Sequence, residues 1–350
     1  MTAQDIKEFG YRLGYSKVGI TSADGFPDYV EEVKSRGDEF DILAFTTTNP
    51  LVDAIPKAKM PDAKSIIVLV YDYGQYDYPD ELTKMIGKAY LGRCYGPQPG
   101  NINYARLQLM KDYLADHGCK VDTSIGLPAR WTAAQAGVTT FGRNNFAYAD
   151  GCGSYIIIST IVIDKELEYD TPTMECKCPP NCRACMDACP MQAIYEPFHL
   201  NPRKCISFNN WMTQDGRPGI SSYIPEEIRE KIGCHVHGCD ICQDVCPRNQ
   251  EVRKRPKKMD PFIAEIAPDI TLSNLLHMTD EFYQTRIHPI MYNYIKDKRY
   301  FQRNAAIAMG NLKDPAFIPE LELELENPDA MIREAVEWAL ERIGWRKEHE

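Results

Sequence analysis

The sequence predicts an α+β protein in three parts, on the strength of three observations. Residues 1–165 mix helical and strand patterns, ten of the thirteen cysteines lie between residues 176 and 246, and the chain is helical in pattern from about residue 270 onward. We therefore expect a mixed α/β domain at residues 1–165, a cysteine-rich domain at residues 166–250, and a basic linker with a helical tail at residues 251–350. A chain of 350 residues is long enough for three domains.

The first part contains both kinds of regular pattern. Helices are predicted for residues 3–14 and for "YARLQLMKDYLADHG", in which Gly118 is a natural stop signal. Three runs rich in β-branched residues predict strands: "KVGIT", "AKSIIVLVYDYG" (63–74) and "YIIISTIVID" (155–164). The two longer runs are typical of buried strands.

Composition and charge exclude several classes of protein. Hydrophobic residues make up 44% of the chain and charged residues 26%, as in a globular protein with a core. The net charge of -10 argues against a surface that is a nucleic-acid footprint throughout. Neither a membrane span nor an export signal is present, so we expect a cytoplasmic protein whose clustered thiols bind metal.

The cysteines form two runs that end in the same way. The runs are Cys178, Cys182, Cys185 and Cys189 before Pro190, and Cys239, Cys242 and Cys246 before Pro247. Each ends in C-x2-C-x3-C-P, like the ligand run of bacterial ferredoxins, in which the fourth cysteine binds the other cluster of a pair. The sequence therefore predicts a ferredoxin-like domain with two [4Fe–4S] clusters, because zinc sites throughout do not explain these endings.

The second run needs a fourth cysteine from elsewhere, and Cys205 in "NPRKCISF" is the natural donor. We assign cluster one to Cys178, Cys182, Cys185 and Cys246. We assign cluster two to Cys189, Cys205, Cys239 and Cys242. Three residues separate Cys178 from Cys182 instead of the usual two, so Cys176 remains an alternative ligand.

The other cysteines have simpler interpretations. Cys234, with His235 and His237, is compatible with zinc, but a loop beside a cluster is the favoured interpretation. The three cysteines outside the cysteine-rich region are expected to be small buried apolar residues: Cys94, Cys119 and Cys152.

The last part begins with a basic segment, "EVRKRPKKMD" (251–260), which we interpret as a linker. The stretch "RNAAIAMGNLKDPAFIPELELELENPDAMIREAVEWALERIG" predicts two amphipathic helices separated by "NPD". Its alternation resembles a single HEAT-like unit. One such unit cannot bury both of its faces, so we expect it to dock on the preceding domain.

Several segments also follow the pattern of one known family. They are "RKCISF", "IPEEIREKIG", "GCDICQDVCPRN", "RCYG", "RNAAIAMGNLKDP" and "QAGVTTFGRNNFAYADGCGSY", the last matching a family stretch "AGLGWIGKN…GSY". In these segments the chain resembles the epoxyqueuosine reductases, cobalamin-dependent enzymes of tRNA modification with two [4Fe–4S] clusters. That family is related in architecture to the reductive dehalogenases.

The resemblance implies a nitroreductase-like α/β domain that binds base-off cobalamin next to the ferredoxin-like domain. The sequence has no D-x-H-x-x-G motif that could supply a histidine to the cobalt, which agrees with this expectation. By resemblance, the residues at or near the corrinoid are Ala129, Arg130, Gly142, Arg143, Asn144, Gly153 and Ser154. Arg143 stands where the family has a lysine.

The main departure from the family concerns its proton donor, an acidic residue immediately before an arginine. Here the arginine is Arg130 and the residue before it is Ala129, which cannot donate a proton. Residues 96–103 and the segment "GDEFDILAF" also differ from the family pattern. We therefore expect a cobalamin-dependent reductase that passes electrons through two clusters to cobalt and reduces an electrophilic substrate other than epoxyqueuosine.

A replacement proton donor can be sought among tyrosines, which the reductive dehalogenases use. The candidates are Tyr95, Tyr104, Tyr148 and Tyr155, although packing explains each of them as well. Asp150 is a further candidate, but its glycine-flanked position first indicates a turn.

Two alternatives remain open at the level of the sequence. One is a genuine epoxyqueuosine reductase acting on tRNA, which the helical tail and the basic "RKRPKK" favour. The other is a non-catalytic electron-transfer protein or corrinoid-reducing activator. The expected partners are a low-potential donor such as ferredoxin or flavodoxin, and a small-molecule or tRNA-linked electrophile. No membrane partner is expected, and the sequence leaves nucleic-acid binding open.

Overall fold

The computed structural model describes residues 1–37, 50–95, 99–211, 221–291 and 297–345. It contains the mixture of helices and strands that the sequence predicts. The strands are β1 (Lys17–Ser22), β2 (Ser65–Asp72), β3 (Tyr76–Asp77), β4 (Val121–Asp122), β5 (Thr140–Phe141), β6 (Ala147–Tyr148), β7 (Ile156–Ile163), β8 (Ile194–Glu196), β9 (His199–Leu200) and β10 (Lys258–Met259). The helices of the N-terminal half are α1 (Ala3–Arg12), α2 (Pro27–Ser35), α3 (Pro50–Asp53), α4 (Asp80–Thr83), α5 (Lys88–Leu91), α6 (Ile102–Asp116) and α7 (Ala129–Gln135). Those that follow are α8 (Ala184–Asp187), α9 (Ile206–Trp211), α10 (Glu226–Ile232), α11 (Ile241–Asp244), α12 (Gln250–Lys254), α13 (Pro261–Ile266), α14 (Leu272–Leu276), α15 (Asp280–Phe282), α16 (His288–Met291), α17 (Arg299–Leu312), α18 (Ile318–Leu323) and α19 (Ala330–Ile343).

A four-stranded sheet forms the centre of the N-terminal half. Its order is β1–β2–β7–β4, and each neighbouring pair is antiparallel. The two long β-branched runs become its middle strands, with Ser65 opposite Ile163 and Asp72 opposite Ile156. Every residue of β2 is buried, which confirms the predicted buried strand.

Helices cover both faces of this sheet. Ile67 and Leu69 of β2 pack in one buried cluster with Leu107 of α6, whereas Ile66 lies on the other face in a cluster with Ala133 of α7. The alternation follows from the strand geometry, in which successive side chains point to opposite faces. The sheet therefore fixes the position of α7, which carries Ala129 and Arg130.

A third core joins the cysteine-rich segment to the tail. Phe301 of α17 and Val336 of α19 belong to the same buried cluster as Ile86 and Val236. The expectation that the helical tail docks on the preceding part is confirmed. Its HEAT-like character, the nitroreductase-like fold and the domain boundaries at residues 165 and 250 stay predictions.

Buried polar side chains of α17 hold the backbone that leads into the second cysteine run. Asn304 donates hydrogen bonds to the carbonyl oxygens of Asn210 at 2.6 Å and Val236 at 2.8 Å. Asn210 in turn donates to the carbonyl oxygen of Gly238 at 3.0 Å. Because buried backbone groups need partners, these contacts fix the approach to Cys239.

The basic segment at residues 251–260 is more ordered than the expected linker. It contains α12 and β10, and β10 pairs in parallel with β3. Arg255 donates to the Asp72 carboxylate at 2.6 Å, and Arg93 donates to Asp260 at 2.8 Å. Part of its positive charge is therefore used to hold the segment against the N-terminal half.

Candidate iron–sulfur centre and cofactor cleft

The four cysteines predicted for cluster one line a single cavity. They are Cys178, Cys182, Cys185 and Cys246. The first three come from the loop around α8, and the fourth follows α11, 57 residues beyond Cys189 in the sequence. The structure thus brings the pre-proline cysteine of the second run to the three-cysteine loop of the first, which is the predicted crossing.

The four cysteines predicted for cluster two also lie together. Burial, with smaller contributions from the nearby thiols of Cys205 and Cys189, raises the pKa of Cys239 to about 12. Burial likewise raises the pKa of Cys242, with Cys205 and Cys239 as the next causes. Because iron binds the thiolate, occupation of this site would release protons from these cysteines.

The remaining cysteines and histidines give little support to a zinc site. Among the described parts of the chain, no three His, Cys, Asp or Glu side chains are arranged to hold a single metal ion. His237 is buried, with its ring centroid 4.2 Å from that of Tyr90, and burial lowers its pKa to about 3. A [4Fe–4S] cube spreads its four cysteine ligands more widely than a single ion does, so the four-cysteine groups fit clusters.

Cys176 and Cys178 differ in position. Cys178 lines the cluster-one cavity, whereas Cys176 is exposed and forms a backbone bridge with Phe141. This arrangement favours Cys178 as the ligand. The three cysteines outside the cysteine-rich region are buried, as expected: Cys94, Cys119 and Cys152.

Arg143 and Asn144 lie against the cysteine ligands. The Arg143 amide donates to Cys178 Sγ at 3.4 Å, and its guanidinium donates to the Cys182 carbonyl oxygen at 2.8 Å. Asn144 is buried and donates from Nδ2 to the Cys242 carbonyl oxygen at 3.2 Å. Asn144 therefore lies between the two cysteine groups, and any contact of these residues with a corrinoid stays a prediction.

Gly142, Gly153 and Ser154 support the same region by close packing. A Cβ atom on Gly142 would come within 2.3 Å of the Tyr148 ring, and one on Gly153 within 2.3 Å of Asn249 Oδ1. Ser154 donates from Oγ to Gln243 at 3.0 Å and accepts at Oγ from Asn249 at 2.8 Å. The hydroxyl of Ser154 therefore forms its hydrogen bonds with protein side chains.

The structure divides the four candidate tyrosines. Tyr148 is buried, and its hydroxyl donates to Cys246 Sγ at 3.1 Å. Tyr155 is also buried and donates to Asp244 at 2.7 Å. Burial raises the pKa of both hydroxyl groups, so both stay protonated at neutral pH. Tyr104 lies in the first turn of α6, away from the cysteines in sequence.

Asp150 is exposed and lies in the turn between Ala149 and Gly153, with its carboxylate 3.6 Å from Lys177. This position agrees with the interpretation as a turn. Of the two segments that depart from the family pattern, residues 38–45 and 96–98 lie outside the described part of the chain.

Ala129 and Arg130 are the first two residues of α7. The Arg130 side chain is exposed, yet surrounding protein lowers its pKa by desolvation, while Tyr29 and Tyr95 act in the opposite direction. We name the surroundings of Arg130, which include Tyr29 and Tyr95, the Arg130 cleft. Its guanidinium donates to the carbonyl oxygen of Asn145.

Tyr95 is the predicted tyrosine that the structure brings to the Arg130 cleft. Its ring centroid lies 5.1 Å from that of Tyr90. Sequence reasoning missed Tyr29, which packs edge-on against Trp131 at 5.7 Å. Tyr29 belongs to α2, about 100 residues before Arg130, and its sequence context contains no signal for a site.

These two groups of four cysteines, on an α+β scaffold, define an iron–sulfur protein with two clusters. Residues 177–249 match the family described as "4Fe-4S double cluster binding domain". An epoxyqueuosine reductase of Pseudomonas aeruginosa is 30% identical over 360 residues, covering 98% of this chain and 94% of that relative. One of Bacillus subtilis is 29% identical over 352 residues, covering 97% and 87%. The chain belongs to the epoxyqueuosine reductase family.

A solved structure agrees with this assignment. It is described as epoxyqueuosine reductase with an epoxyqueuosine-modified tRNA-Tyr stem loop, and it has a TM-score of 0.79 at 28% identity. The similarity covers 97% of this chain and 90% of that chain.

Membership in the family confirms the resemblance and the prediction of an iron–sulfur oxidoreductase. The domain match confirms two [4Fe–4S] clusters as cofactors, and the family supports cobalamin as the third. The individual ligands stay predictions. None of the helices in the described ranges has the length and apolar character needed to cross a membrane.

Proposed function

We propose that this protein is a cobalamin-dependent reductase whose electrophilic substrate differs from epoxyqueuosine. When bound, the clusters supply low-potential electrons and the corrinoid supplies a strongly reducing cobalt next to the substrate. The protein's own share is to hold these groups in line, to orient the substrate and to exclude water.

One observation carries the substrate part of this proposal: Ala129 stands at the start of α7, next to Arg130 in the cleft. In the family pattern this position holds the acid that donates a proton. A methyl group cannot replace it, and loss of a general acid costs about two to four orders of magnitude in a proton-dependent step. A substrate that needs no proton, or takes one from another group, fits this cleft better.

The chemistry of the Arg130 cleft suits a corrinoid. Cobalamin carries amide side chains around its ring, and Arg130, Tyr29 and Tyr95 have the side-chain types that form hydrogen bonds with amides. These three residues are the ones that we propose to hold it or its substrate. Tyr95 is then the first choice for a proton donor, because it is the one of the four candidate tyrosines whose charge acts on Arg130.

One residue, Asn144, lies between the ligand sets of the two clusters. Asn144 Nδ2 lies 3.0 Å from the Tyr148 hydroxyl, on the side of Cys246, and 3.2 Å from the carbonyl oxygen of Cys242. We propose that Asn144 fixes the relative position of the two ligand sets. Electron transfer is easier between centres whose positions are fixed. A buried amide that lies between the two ligand sets would keep them fixed.

The direct test of this part is anaerobic reduction of added cob(II)alamin by the purified protein, followed in the visible spectrum with a low-potential reductant. We expect about eight irons per chain and cobalt reduction that depends on both clusters. A protein with eight irons that neither binds cobalamin nor reduces it would contradict the proposal.

A second candidate function is reduction of epoxyqueuosine in tRNA. It is favoured by the near-complete coverage of the relatives and by the neighbour solved with a modified tRNA stem loop. Lys254 and Lys258 are exposed on the basic segment and are available for phosphate contacts. If this function holds, replacing both lysines with alanine weakens binding of the stem loop and flattens its salt dependence. Lys34→Ala, which removes an exposed lysine of α2, should change neither.

The reaction needs a low-potential electron donor, for which we propose a ferredoxin or a flavodoxin in a reducing cytoplasmic compartment. A non-catalytic activator role is not favoured, because the chain belongs to a family of reductases.

A further inference from the structure

We propose that Tyr148 sets the reduction potential of cluster one by donating a hydrogen bond to the sulfur of Cys246. The inference rests on the proposed ligand set, in which Cys246 completes cluster one. It gives Tyr148 a role as a positioning and tuning residue, different from the proton donor that the sequence suggested.

The hydrogen-bond geometry directs the hydroxyl proton to sulfur. Asn144 Nδ2 donates to the Tyr148 hydroxyl oxygen at 3.0 Å, which uses an acceptor position of that oxygen. The Tyr148 proton then has Cys246 Sγ at 3.1 Å and Asn144 Oδ1 at 3.3 Å as acceptors. A metal-bound thiolate carries negative charge, so it is the stronger acceptor of the two.

The tyrosine ring is held in place on both sides. Gly142 leaves no room for a side chain against it, since a Cβ there would lie 2.3 Å from the ring. Arg248 places its guanidinium carbon 4.0 Å from the ring centroid, and this guanidinium is itself anchored to Thr140 Oγ1 at 2.6 Å and the Phe141 carbonyl oxygen at 3.0 Å. The hydroxyl therefore cannot easily turn away from Cys246.

A donor at this sulfur affects the two oxidation states unequally. Reduction adds an electron to the cluster and increases the negative charge on its sulfurs, so a hydrogen bond stabilises the reduced form more. At cluster two the contact of this kind comes from the backbone, where the Ala193 amide donates to Cys189 Sγ at 3.3 Å. A substitution of Tyr148 can therefore change the reduction potential of cluster one and leave that of cluster two unchanged.

The test is a redox titration of Tyr148→Phe, with each cluster followed by electron paramagnetic resonance. We expect the ratio of reduced to oxidised cluster one, at a fixed potential, to fall about tenfold, which is 59 mV for a one-electron couple. The reduction potential of cluster two should not change. The signal of cluster one is identified as the one that Cys246→Ser removes. The matched control is Tyr78→Phe, because Tyr78 is also buried but donates to the Tyr73 carbonyl oxygen at 3.0 Å.

A second variant keeps the test decisive if Tyr148→Phe loses its iron. Replacing Tyr148 with 3-fluorotyrosine keeps the shape and strengthens the donor, so the ratio should move in the opposite direction. Unchanged potentials, or equal shifts in both clusters, would overturn the role of Tyr148. A wild-type protein that does not assemble two clusters would instead refute the ligand sets and the proposed function.

Discussion

Residues 129–148 contribute side chains to both the cluster-one cavity and the Arg130 cleft, but the two regions use these side chains differently. Around the cavity, Arg143, Asn144 and Tyr148 direct their polar groups to ligand cysteines or their backbones. In the cleft, Arg130 is exposed and its neighbour in sequence is a plain methyl group. A rigid electron route leaves little freedom for substitution, whereas the substrate side of the same scaffold can change.

The largest expected effect comes from breaking one cluster at a time. We expect Cys246→Ser and Cys205→Ser each to lower iron from about eight to about four per chain, because each removes one ligand from a different cube. The two variants should lose different paramagnetic signals. Loss of the same signal in both would show that the proposed crossing is wrong, and Cys119→Ser, a buried cysteine outside both sets, should keep all the iron.

The next largest effect is expected in the Arg130 cleft, at Ala129. We expect Ala129→Asp to increase the rate of epoxyqueuosine reduction in tRNA by about two to four orders of magnitude, since it restores a proton donor next to Arg130. Ala129→Asn has nearly the same size and no acid, so it should give no gain. Rates are measured in single-turnover experiments with reduced protein, and an equal gain from asparagine would rule out proton donation as the cause.

A smaller effect is expected at Arg130 itself. Arg130→Met should weaken cobalamin binding about tenfold to a hundredfold, as for the loss of a hydrogen bond to a charged group. Titration of the visible spectrum measures this affinity, and Arg12→Met on the opposite face of the sheet is the control. Unchanged cobalamin binding would show that the corrinoid does not contact Arg130. The assignment of the two clusters would not be affected by that result.

The sequence was informative where spacing along the chain determines chemistry. The C-x2-C-x3-C-P endings predicted which cysteines come together, because a short loop can only present its sulfurs to one side. The long β-branched run that became β2 was equally clear, since a strand buried on both faces contains a nearly continuous run of apolar side chains.

The sequence was uninformative where distant segments meet. Nothing in the local pattern indicates that the Tyr148 hydroxyl lies near Cys246, 98 residues away, or that Tyr29 lies near Arg130. The basic segment resembled a solvated linker, yet Arg255 pairs with Asp72, 183 residues away. Such contacts depend on how the sheet and the tail bring the chain together, which periodicity does not encode.

The most direct test of the central claim is a side-by-side rate measurement on one substrate, epoxyqueuosine in a tRNA stem loop. This protein and the Pseudomonas aeruginosa epoxyqueuosine reductase would each be supplied with iron, sulfide and cobalamin and would be reduced in the same way. With Ala129 in place of the acid, we predict a rate at least about a hundredfold lower for this protein. Equal rates would contradict the proposal of a different substrate.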